Sequence, residues 1–441
     1  MKTPIVDFVK KYAEDNFSRF HMPGHKGKSF LGFEEYDITE VSGADVLSNA
    51  NGIIYESEKN ASLLFGTAHT YYTTEGSTAA ICAMLALVRG KNPLILAARN
   101  VHKAFIHACA LLDYRVEWLM PSESSSILKC ETTPKEIEDK VLSLSERPAA
   151  IYLTSPDYLG NIQDIGGISK VCKKYNIPLL VDNAHGAYLG FLKENLHPIH
   201  LGATVCCDSA HKTLPVLTGG AYLHIAKDAP ENFKLNARKS LSFFSSTSPS
   251  YLILQSLDLC NKYIAGDFKE ELADCIVKIN SLKEFIVSSG FTVLKTEPLK
   301  LTLDTAKSGY SGEELAKILR KNNAEPEYYD DDFLVLMITP QNPNKDFELL
   351  RSIFSSLPTR EEKDIKKADI PYPKMKMSVR EAVFSECETI PVEASVGRIC
   401  ATPSVSCPPA IPIAISGEVI SEETVKLFKQ YGIEKIDVVK E

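Results

Sequence analysis

The most informative stretch of the chain is Ala203-Thr204-Val205-Cys206-Cys207-Asp208-Ser209-Ala210-His211-Lys212. Its first five residues form a short apolar run that predicts a buried strand, and polar residues follow at once. A lysine at such a strand end can have a depressed pKa and can then form a Schiff base with a carbonyl group. A solvated loop charge is the alternative for Lys212, so its interpretation depends on residues at equivalent places in the chain.

Three other short apolar runs also end in clusters of polar residues. The runs, each with its cluster, are 93–96 with 99–103, 149–153 with 154–160, and 178–181 with 182–186. Helix-length segments such as Ile168 to Tyr175 lie between the runs. This alternation predicts an α/β fold with a mostly parallel sheet flanked by helices, in which the carboxyl ends of the strands share one edge and bind the ligand.

The polar residues at these strand ends are the ones that a pyridoxal phosphate site requires. Lys212 is suited to hold the cofactor, and Asp182 is suited to pair with its pyridine nitrogen. A carboxylate there keeps the ring nitrogen protonated, so that the ring can accept electrons from a bond broken at the substrate. His102 is suited to lie over one face of the ring, and the small Ala184 is suited to pack beneath the other.

The phosphate group of such a cofactor needs hydrogen-bond donors, and Gly76-Ser77-Thr78 can supply them. These residues begin an apolar helix predicted to extend to Val88. Free backbone N–H groups and the positive end of the helix dipole favour a phosphate at this position. Serine and threonine are also ordinary helix caps, so this segment is weak support by itself.

Six ordered motifs resemble the Orn/Lys/Arg decarboxylase family, in the short form without an N-terminal receiver-like domain. The motifs are 20–27, 37–45, 76–78, 181–186, 208–215 and 246–251. The resemblance implies the pyridoxal phosphate-dependent transferase fold of type I, with a smaller α/β domain and a C-terminal α+β unit. It also implies decarboxylation of a basic amino acid to the corresponding di- or polyamine and CO2.

The resemblance assigns roles to individual positions. Lys212 would hold the cofactor, Asp182 would pair with the ring nitrogen, and His211 would lie beside the reacting lysine. The cofactor-binding residues that it implies are Gly76, Ser77, Thr78, His102, Asp182, Ala184, His185, Ser209, Lys212, Thr247 and Ser248. The segment 246–248 would reach the site from a neighbouring subunit, so the family resemblance implies a homodimer or a dimer of dimers.

Decarboxylation also requires a proton donor and partners for the distal cation of the substrate. His211 and Lys212 are the two candidates for the group that returns a proton to the α-carbon. Glu418 and Asp157 are the candidates for binding the distal cation, and the run 330–332 is a further acidic candidate or a solvated turn between two strands. Glu418 closes a proline-rich segment, 407–418, that resembles the substrate-side motif of the family.

The chain departs from the family pattern near these sites. Cys407 stands where a tyrosine is frequent, Ala410 where a glycine is usual, and Gly219 where many relatives have a glutamine. The sequence does not separate arginine from lysine or ornithine, and arginine is a slight preference drawn from short relatives. Another pyridoxal phosphate reaction, such as transamination or a lyase reaction, and a non-catalytic cofactor-binding protein remain alternatives.

Composition limits the other classes of function. The 441 residues have a net charge of -8, which gives no general attraction to nucleic acids or anionic lipids. The sequence has no apolar run long enough to span a membrane and no apolar secretion signal, so we expect a cytoplasmic protein. Eleven scattered cysteines indicate reduced thiols. We expect no metal, because the pair His197 and His200 lacks nearby acidic or thiol ligands and a surface loop is its default interpretation.

The pattern along the chain predicts five segments. They are an N-terminal helix and arm (1–30), a cofactor-binding major domain (31–260), a small α/β domain (261–358), a linker (359–374) and a C-terminal domain (375–441). The later predicted elements are helices at 248–262, 268–287, 312–322 and 378–385, and strands at 291–294, 299–303 and 333–338.

Overall fold

The computed structural model describes residues 1–120, 126–363, 371–372, 374–403 and 410–441. These residues form two compact units, each assembled from separate stretches of the chain. Unit 1 comprises Met1–Asn92, Ala149–Ser155 and Ile165–Glu270, and unit 2 comprises Pro93–Pro148, Pro156–Asp164 and Glu271–Glu441. The division of the chain into five segments stays a prediction.

The described residues form fifteen α-helices and thirteen strands. The helices are α1 Pro4–Glu14, α2 Ile53–Phe65, α3 Gly76–Val88, α4 Lys103–Leu112, α5 Pro134–Ser143, α6 Ile165–Lys174, α7 Pro198–Leu201, α8 Ala210–Thr213, α9 Glu231–Ser242, α10 Tyr251–Ile264, α11 Phe268–Ser288, α12 Gly312–Lys321, α13 Asn344–Ser356, α14 Val379–Phe384 and α15 Glu422–Gln430. The strands are β1 His69–Thr73, β2 Leu94–Ala98, β3 Arg115–Leu119, β4 Ala150–Thr154, β5 Leu179–Asp182, β6 Val205–Asp208, β7 Ala221–Ile225, β8 Thr292–Val293, β9 Lys300–Asp304, β10 Tyr328–Tyr329, β11 Phe333–Met337, β12 Cys387–Pro391 and β13 Lys435–Val439.

Unit 1 contains five strands of the main sheet, in the order β1-β7-β6-β5-β4. β4 pairs parallel with β5 and β5 pairs parallel with β6, whereas β7 is antiparallel to both β6 and β1. β5 and β6 are buried at every residue, which explains why they read as unbroken apolar runs instead of alternating ones. The carboxyl ends of β4, β5 and β6 therefore lie at one edge of the sheet.

The helices of unit 1 cover this sheet with apolar side chains. α3 packs on β6 and β7 and against α9, and its Ala79–Leu85 segment is buried throughout. A helix that is apolar on nearly all sides requires such a covered position. α1 and α2 pack together and against α10.

Helix α1 is attached through a buried carboxylate. Asp258 of α10 accepts hydrogen bonds from the backbone N–H groups of Ile5 and Val6, at 3.0 and 3.1 Å. These groups belong to the first turn of α1, where backbone donors have no partner within the helix. Burial raises the pKa of Asp258 from 3.8 to about 6, although these hydrogen bonds and one from Ser57 oppose the rise.

Unit 2 contains a parallel pair, β2 and β3, and two antiparallel sheets. The larger antiparallel sheet has the order β10-β11-β9-β8, and the smaller one pairs β12 with β13. One apolar core includes residues of β10 and β11 together with Ile420, Phe428 and Val438. Asp330 lies in the turn between β10 and β11 and accepts hydrogen bonds from the backbone of Asp332 and Phe333, which agrees with the predicted turn.

The predicted α/β class with a mostly parallel sheet is confirmed, and the later helices and strands lie within a few residues of their predicted bounds. Among the described residues, ten cysteines are thiols outside any disulfide, and nine of those are buried. No helix in this part of the chain is long and apolar enough to cross a membrane.

We expect Asp258→Asn to flatten the pH dependence of stability. Because the folded pKa of about 6 exceeds the ordinary 3.8, Asp258 stabilises the fold below pH 4, and this contribution is lost as the pH rises through 6. For a pKa shift of this size, linkage predicts that the contribution of Asp258 to the free energy of unfolding differs by about 3 kcal/mol between low and high pH. Urea unfolding of both proteins at pH 4 and pH 7 measures it. Equal losses in the wild type and the variant would contradict the assignment.

Candidate active site

Lys212 lies on the short helix α8, directly after the end of β6. Its Nζ atom is 3.0 Å from Nε2 of His185, which belongs to the loop that follows β5. Because a protonated lysine amine only donates, Nε2 of His185 accepts from it, and the proton of a neutral imidazole is then on Nδ1. The parallel pairing of β5 and β6 thus brings together two side chains that are 27 residues apart.

Asp182 is the last residue of β5, and its carboxylate is buried. It accepts hydrogen bonds from Tyr152 Oη at 3.2 Å and from the backbone N–H of Ala184 at 3.2 Å, and the Cys207 thiol approaches it at 3.7 Å. Burial raises the pKa of Asp182, while the charge of Lys212 and these donors oppose the rise. A carboxylate in this condition gains from a further cationic partner.

The start of α3 provides a site for an anion. Gly76 has a φ of +70°, and no side chain caps the helix. The backbone N–H groups of its first turn therefore have no partner within the helix or from a capping side chain. The hydroxyl of Ser209, next to β6, donates to the hydroxyl of Ser77 at 2.8 Å, so both hydroxyls lie at the beginning of this helix.

Gly219 fixes the approach of another loop to this helix start. Its carbonyl accepts a hydrogen bond from the backbone of Gly76 at 2.8 Å, and its φ is +99°. A β-carbon there would lie 2.7 Å from the carbonyl oxygen of Thr74. The backbone conformation at position 219 therefore requires a glycine, and the glutamine of many relatives would not fit this conformation.

Thr247 and Ser248 lie in an exposed segment between α9 and α10. The backbone N–H of Ser246 donates to the carboxylate of Glu75, 3.2 Å away in the same chain. Glu75 immediately precedes Gly76, so the segment lies near the start of α3 of its own chain. Its contribution to the site of a neighbouring subunit stays a prediction.

His211 precedes the candidate lysine on α8 and has a defined tautomer. Its Nδ1 atom is 2.9 Å from the carbonyl oxygen of Gly220, so Nδ1 carries a proton and donates. Burial lowers the pKa of His211, and the charge of Lys212 lowers it further, against the effect of the Gly220 carbonyl. The neutral ring consequently has its free lone pair on Nε2.

Three of the predicted site residues belong to unit 2. His102 is the N-cap of α4, and its Nδ1 atom accepts a hydrogen bond from the backbone of Ala104 at 3.1 Å. Asp157 is buried in the turn after β4 and accepts three hydrogen bonds from Gly160 and Asn161. Burial raises the pKa of Asp157 to about 6 against these bonds and the charge of Lys300.

Glu418, the third, is paired with a buried arginine. The guanidinium of Arg99 lies 3.2 Å from the Glu418 carboxylate and also donates to the carbonyl oxygens of Pro412 and Ile413. Glu418 further accepts a hydrogen bond from the backbone of Ile415 at 2.9 Å. Arg99 therefore holds the described part of the proline-rich segment, whereas Cys407 and the rest of 404–409 lie outside the described residues.

Sequence reasoning missed several of these partners. Tyr152 belongs to an apolar strand, and nothing in its pattern indicates that the hydroxyl reaches Asp182. Asp208, His197 and His224 form a buried cluster whose ligand-type atoms all lie within 4.8 Å of one another. The sequence placed His197 in a surface loop, which is wrong, because only 2% of the residue is exposed. The 11- and 16-residue separations from Asp208 match no familiar local motif.

Comparisons with known proteins define the class. A family model described as Orn/Lys/Arg decarboxylase, major domain, matches residues 3–302, and the C-terminal domain model matches 362–432. The chain is 31% identical over 458 residues to the uncharacterized protein YaaO of Bacillus subtilis, which covers 97% of this chain and 93% of that protein. It is 27% identical over 461 residues to an arginine decarboxylase of Bacillus subtilis, with the same coverage.

The solved structures agree on the fold. The constitutive lysine decarboxylase of Escherichia coli has a TM-score of 0.80 at 18% identity and covers 100% of this chain and 82% of its own. Serine palmitoyltransferase of Sphingomonas wittichii has a TM-score of 0.57 at 14% identity, over 81% of this chain and 83% of its own. The architecture is therefore that of the pyridoxal phosphate-dependent enzymes of fold type I, as predicted.

The chain belongs to the Orn/Lys/Arg decarboxylase family, whose members are pyridoxal phosphate-dependent decarboxylases of basic amino acids. The residues of unit 1 fit that cofactor. Lys212 supplies an amine, Asp182 supplies a buried carboxylate with a raised pKa, and the uncapped start of α3 supplies donors for a phosphate. The predicted family and cofactor are confirmed.

We expect a double-mutant cycle to show that Arg99 and Glu418 are strongly coupled. Arg99→Met alone and Glu418→Met alone each leave a buried charge without its partner, which costs about 3–5 kcal/mol. The double variant removes both charges and should lose clearly less than the sum of the single losses. Urea unfolding of the four proteins measures the coupling. Additive losses would contradict a mutual ion pair.

Proposed function

We propose that this protein decarboxylates arginine and that Lys212 holds the pyridoxal phosphate in the resting enzyme. The observation that supports the proposal is the arrangement in unit 1, where the amine of Lys212 lies 3.0 Å from His185 and a buried carboxylate ends the neighbouring strand. These groups, together with the α3 start, make up an attachment point, a partner for a protonated ring and a phosphate site.

The cofactor, when bound, supplies the electron sink for the bond broken at the substrate α-carbon. Asp182 holds a proton at the ring nitrogen, because a buried carboxylate with few donors favours a cationic partner. His185 accepts a hydrogen bond from the Lys212 amine and so orients it, and its neutral ring can take up the proton that the amine must lose to become a nucleophile. Ser77 and Ser209 hold the phosphate with the first backbone N–H groups of α3.

A proton must return to the α-carbon after CO2 leaves. Nε2 of His211 has the free lone pair, because Nδ1 donates to Gly220, and this atom can take up and deliver a proton. The Lys212 amine is the other candidate. A correctly positioned acid of this kind contributes about 10²- to 10⁴-fold to the rate.

Arginine is proposed over lysine and ornithine on the strength of the relatives. The Bacillus subtilis relative named arginine decarboxylase matches this chain over nearly its whole length. Asp157 and Glu418 stay the proposed partners of the distal cation. A planar guanidinium binds a carboxylate through two parallel hydrogen bonds, whereas an ammonium group acts as a point charge. Glu418 is already paired with Arg99, so a substrate guanidinium would have to share this carboxylate with Arg99.

We expect Lys212→Ala and Lys212→Arg to lose turnover and covalent attachment of the cofactor. Reduction of the wild type with borohydride, followed by peptide mapping, should label Lys212. The exposed Lys239 of α9 offers a matched control, so Lys239→Ala should behave as the wild type. Turnover by Lys212→Ala at rates near those of the wild type would refute the assignment.

The substrate is tested by CO2 release from arginine, lysine and ornithine in parallel assays, with and without added cofactor. We expect kcat/KM for arginine to exceed the others by about tenfold or more, because a single matched charged contact is worth that much. A larger value for lysine or ornithine would overturn the preference for arginine. Product formation without stoichiometric CO2 would indicate transamination or another reaction, and labelling of Lys212 without any product would indicate a binding protein.

A further inference from the structure

A buried network of polar side chains in unit 1 lies behind the candidate active site. Its centre is the carboxylate of Asp208, which accepts from His197 Nε2 at 3.0 Å, from His224 Nε2 at 2.9 Å and from the Asn183 side-chain amide at 2.7 Å. Asp208 and His224 are completely buried. The aromatic ring of Phe65 packs on both imidazoles, with centroid distances of 5.5 and 4.6 Å.

The side chains of His197, Asp208 and His224 lie close enough together to bind a metal ion. The partners of the other nitrogen of each imidazole ring argue against such binding. Nδ1 of His197 accepts a hydrogen bond from the backbone N–H of Ile199, so its proton lies on Nε2. A histidine that binds a metal through one nitrogen normally donates from the other, and His197 has no proton there to donate. His197 is therefore a hydrogen-bond donor to Asp208.

His224 fits the same direction of hydrogen bonding. Its Nδ1 atom lies 2.9 Å from the hydroxyl of Thr70, which can donate to it. Nε2 then carries the proton that Asp208 accepts. Burial alone would raise the pKa of Asp208, but His197 and His224 lower it strongly. All of these donors converge on one ionised carboxylate.

The network reaches the active site through Asn183. The carbonyl of Asn183 accepts a hydrogen bond from the backbone of Gly186 at 2.8 Å, which closes a turn that contains Ala184 and His185. A β-carbon at Gly186 would lie 2.0 Å from Oδ1 of Asn183, so the side chain of Asn183 is folded tightly against the end of the turn. Asp208 fixes that side chain through its amide.

We propose that Asp208, held by His197 and His224, is a positioning residue that fixes the turn 183–186 through Asn183 and so keeps His185 directed at Lys212. The cofactor-dependent part of this inference rests on the proposed role of Lys212. Asp208 does not itself touch the amine. It acts through Asn183 and the backbone turn. Its side chain lies on one face of β6, and the neighbouring Cys207 lies on the opposite face, where its thiol approaches Asp182.

The test compares Asn183→Ala, Asp208→Asn and His224→Gln with the wild type. Asp258→Asn is the matched control, because it makes the same change at a buried carboxylate of unit 1 that contacts α1. Each holoenzyme is examined for cofactor affinity and for the midpoint of the pH titration of its bound-cofactor absorbance. The apoproteins are examined for thermal unfolding and metal content.

We expect Asn183→Ala and Asp208→Asn to weaken cofactor binding by about 10- to 100-fold, the range for loss of a hydrogen bond to a charged group, and to shift the titration midpoint. His224→Gln should remain within about threefold of the wild type, because its amide nitrogen can replace Nε2 as a donor. Asp258→Asn should leave affinity and midpoint unchanged. If Asp208→Asn does not fold, Asn183→Ala decides the outcome.

Three results would overturn the inference. One is a set of variants that unfold at lower temperature but keep the affinity and midpoint of the wild type, since the network would then only stabilise the fold. Another is about one metal ion per chain in the wild type. The third is a crystal structure of the Asn183→Ala apoprotein in which Nε2 of His185 still lies 3.0 Å from Nζ of Lys212. Because this last measurement needs no cofactor, it judges the inference even if borohydride fails to label Lys212.

Discussion

The candidate active site depends on the burial of one carboxylate, that of Asp182, at the end of a strand where the hydrogen bonds that it accepts are long. Two hydrogen bonds of 3.2 Å and a thiol at 3.7 Å leave its pKa raised by burial. A group in that condition is stabilised by a cation, and the charge of Lys212 acts on it in this way. The protonated ring nitrogen of a bound pyridoxal phosphate would be another cation that stabilises this carboxylate.

The sheet topology places the other groups around this carboxylate. β4, β5 and β6 are parallel, so their carboxyl ends deliver Ser155, Asp182 and Asp208 to one edge of the sheet. The backbone of Ser155 donates to the carbonyl of Asp182 at 3.0 Å, which continues the pairing one residue beyond the strands. Only Ser209 separates the end of β6 from the start of α8. The lysine therefore has little freedom to lie anywhere except at this edge.

The sequence was sufficient for features that depend on local pattern. Buried parallel strands read as continuous apolar runs, and the polar residues directly after them marked the edge correctly. It was insufficient for contacts between distant residues. Arg99 and Glu418 are separated by 319 residues, and either one alone resembles an ordinary charged side chain. His197 was assigned to a surface loop because its burial depends on Phe65 and His224, which come from other elements.

The two aspartates that end β5 and β6 show how the surroundings determine the role of a carboxylate. Both are buried, yet burial raises the pKa of Asp182 while two histidines lower that of Asp208 strongly. Asp208 accepts three close hydrogen bonds, so it gains little from a further cation and acts as a fixed anchor. Asp182 has weaker donors and retains its capacity for a cationic partner. The two histidine partners of Asp208, which Asp182 lacks, therefore separate the pKa values of two buried carboxylates of the same residue type.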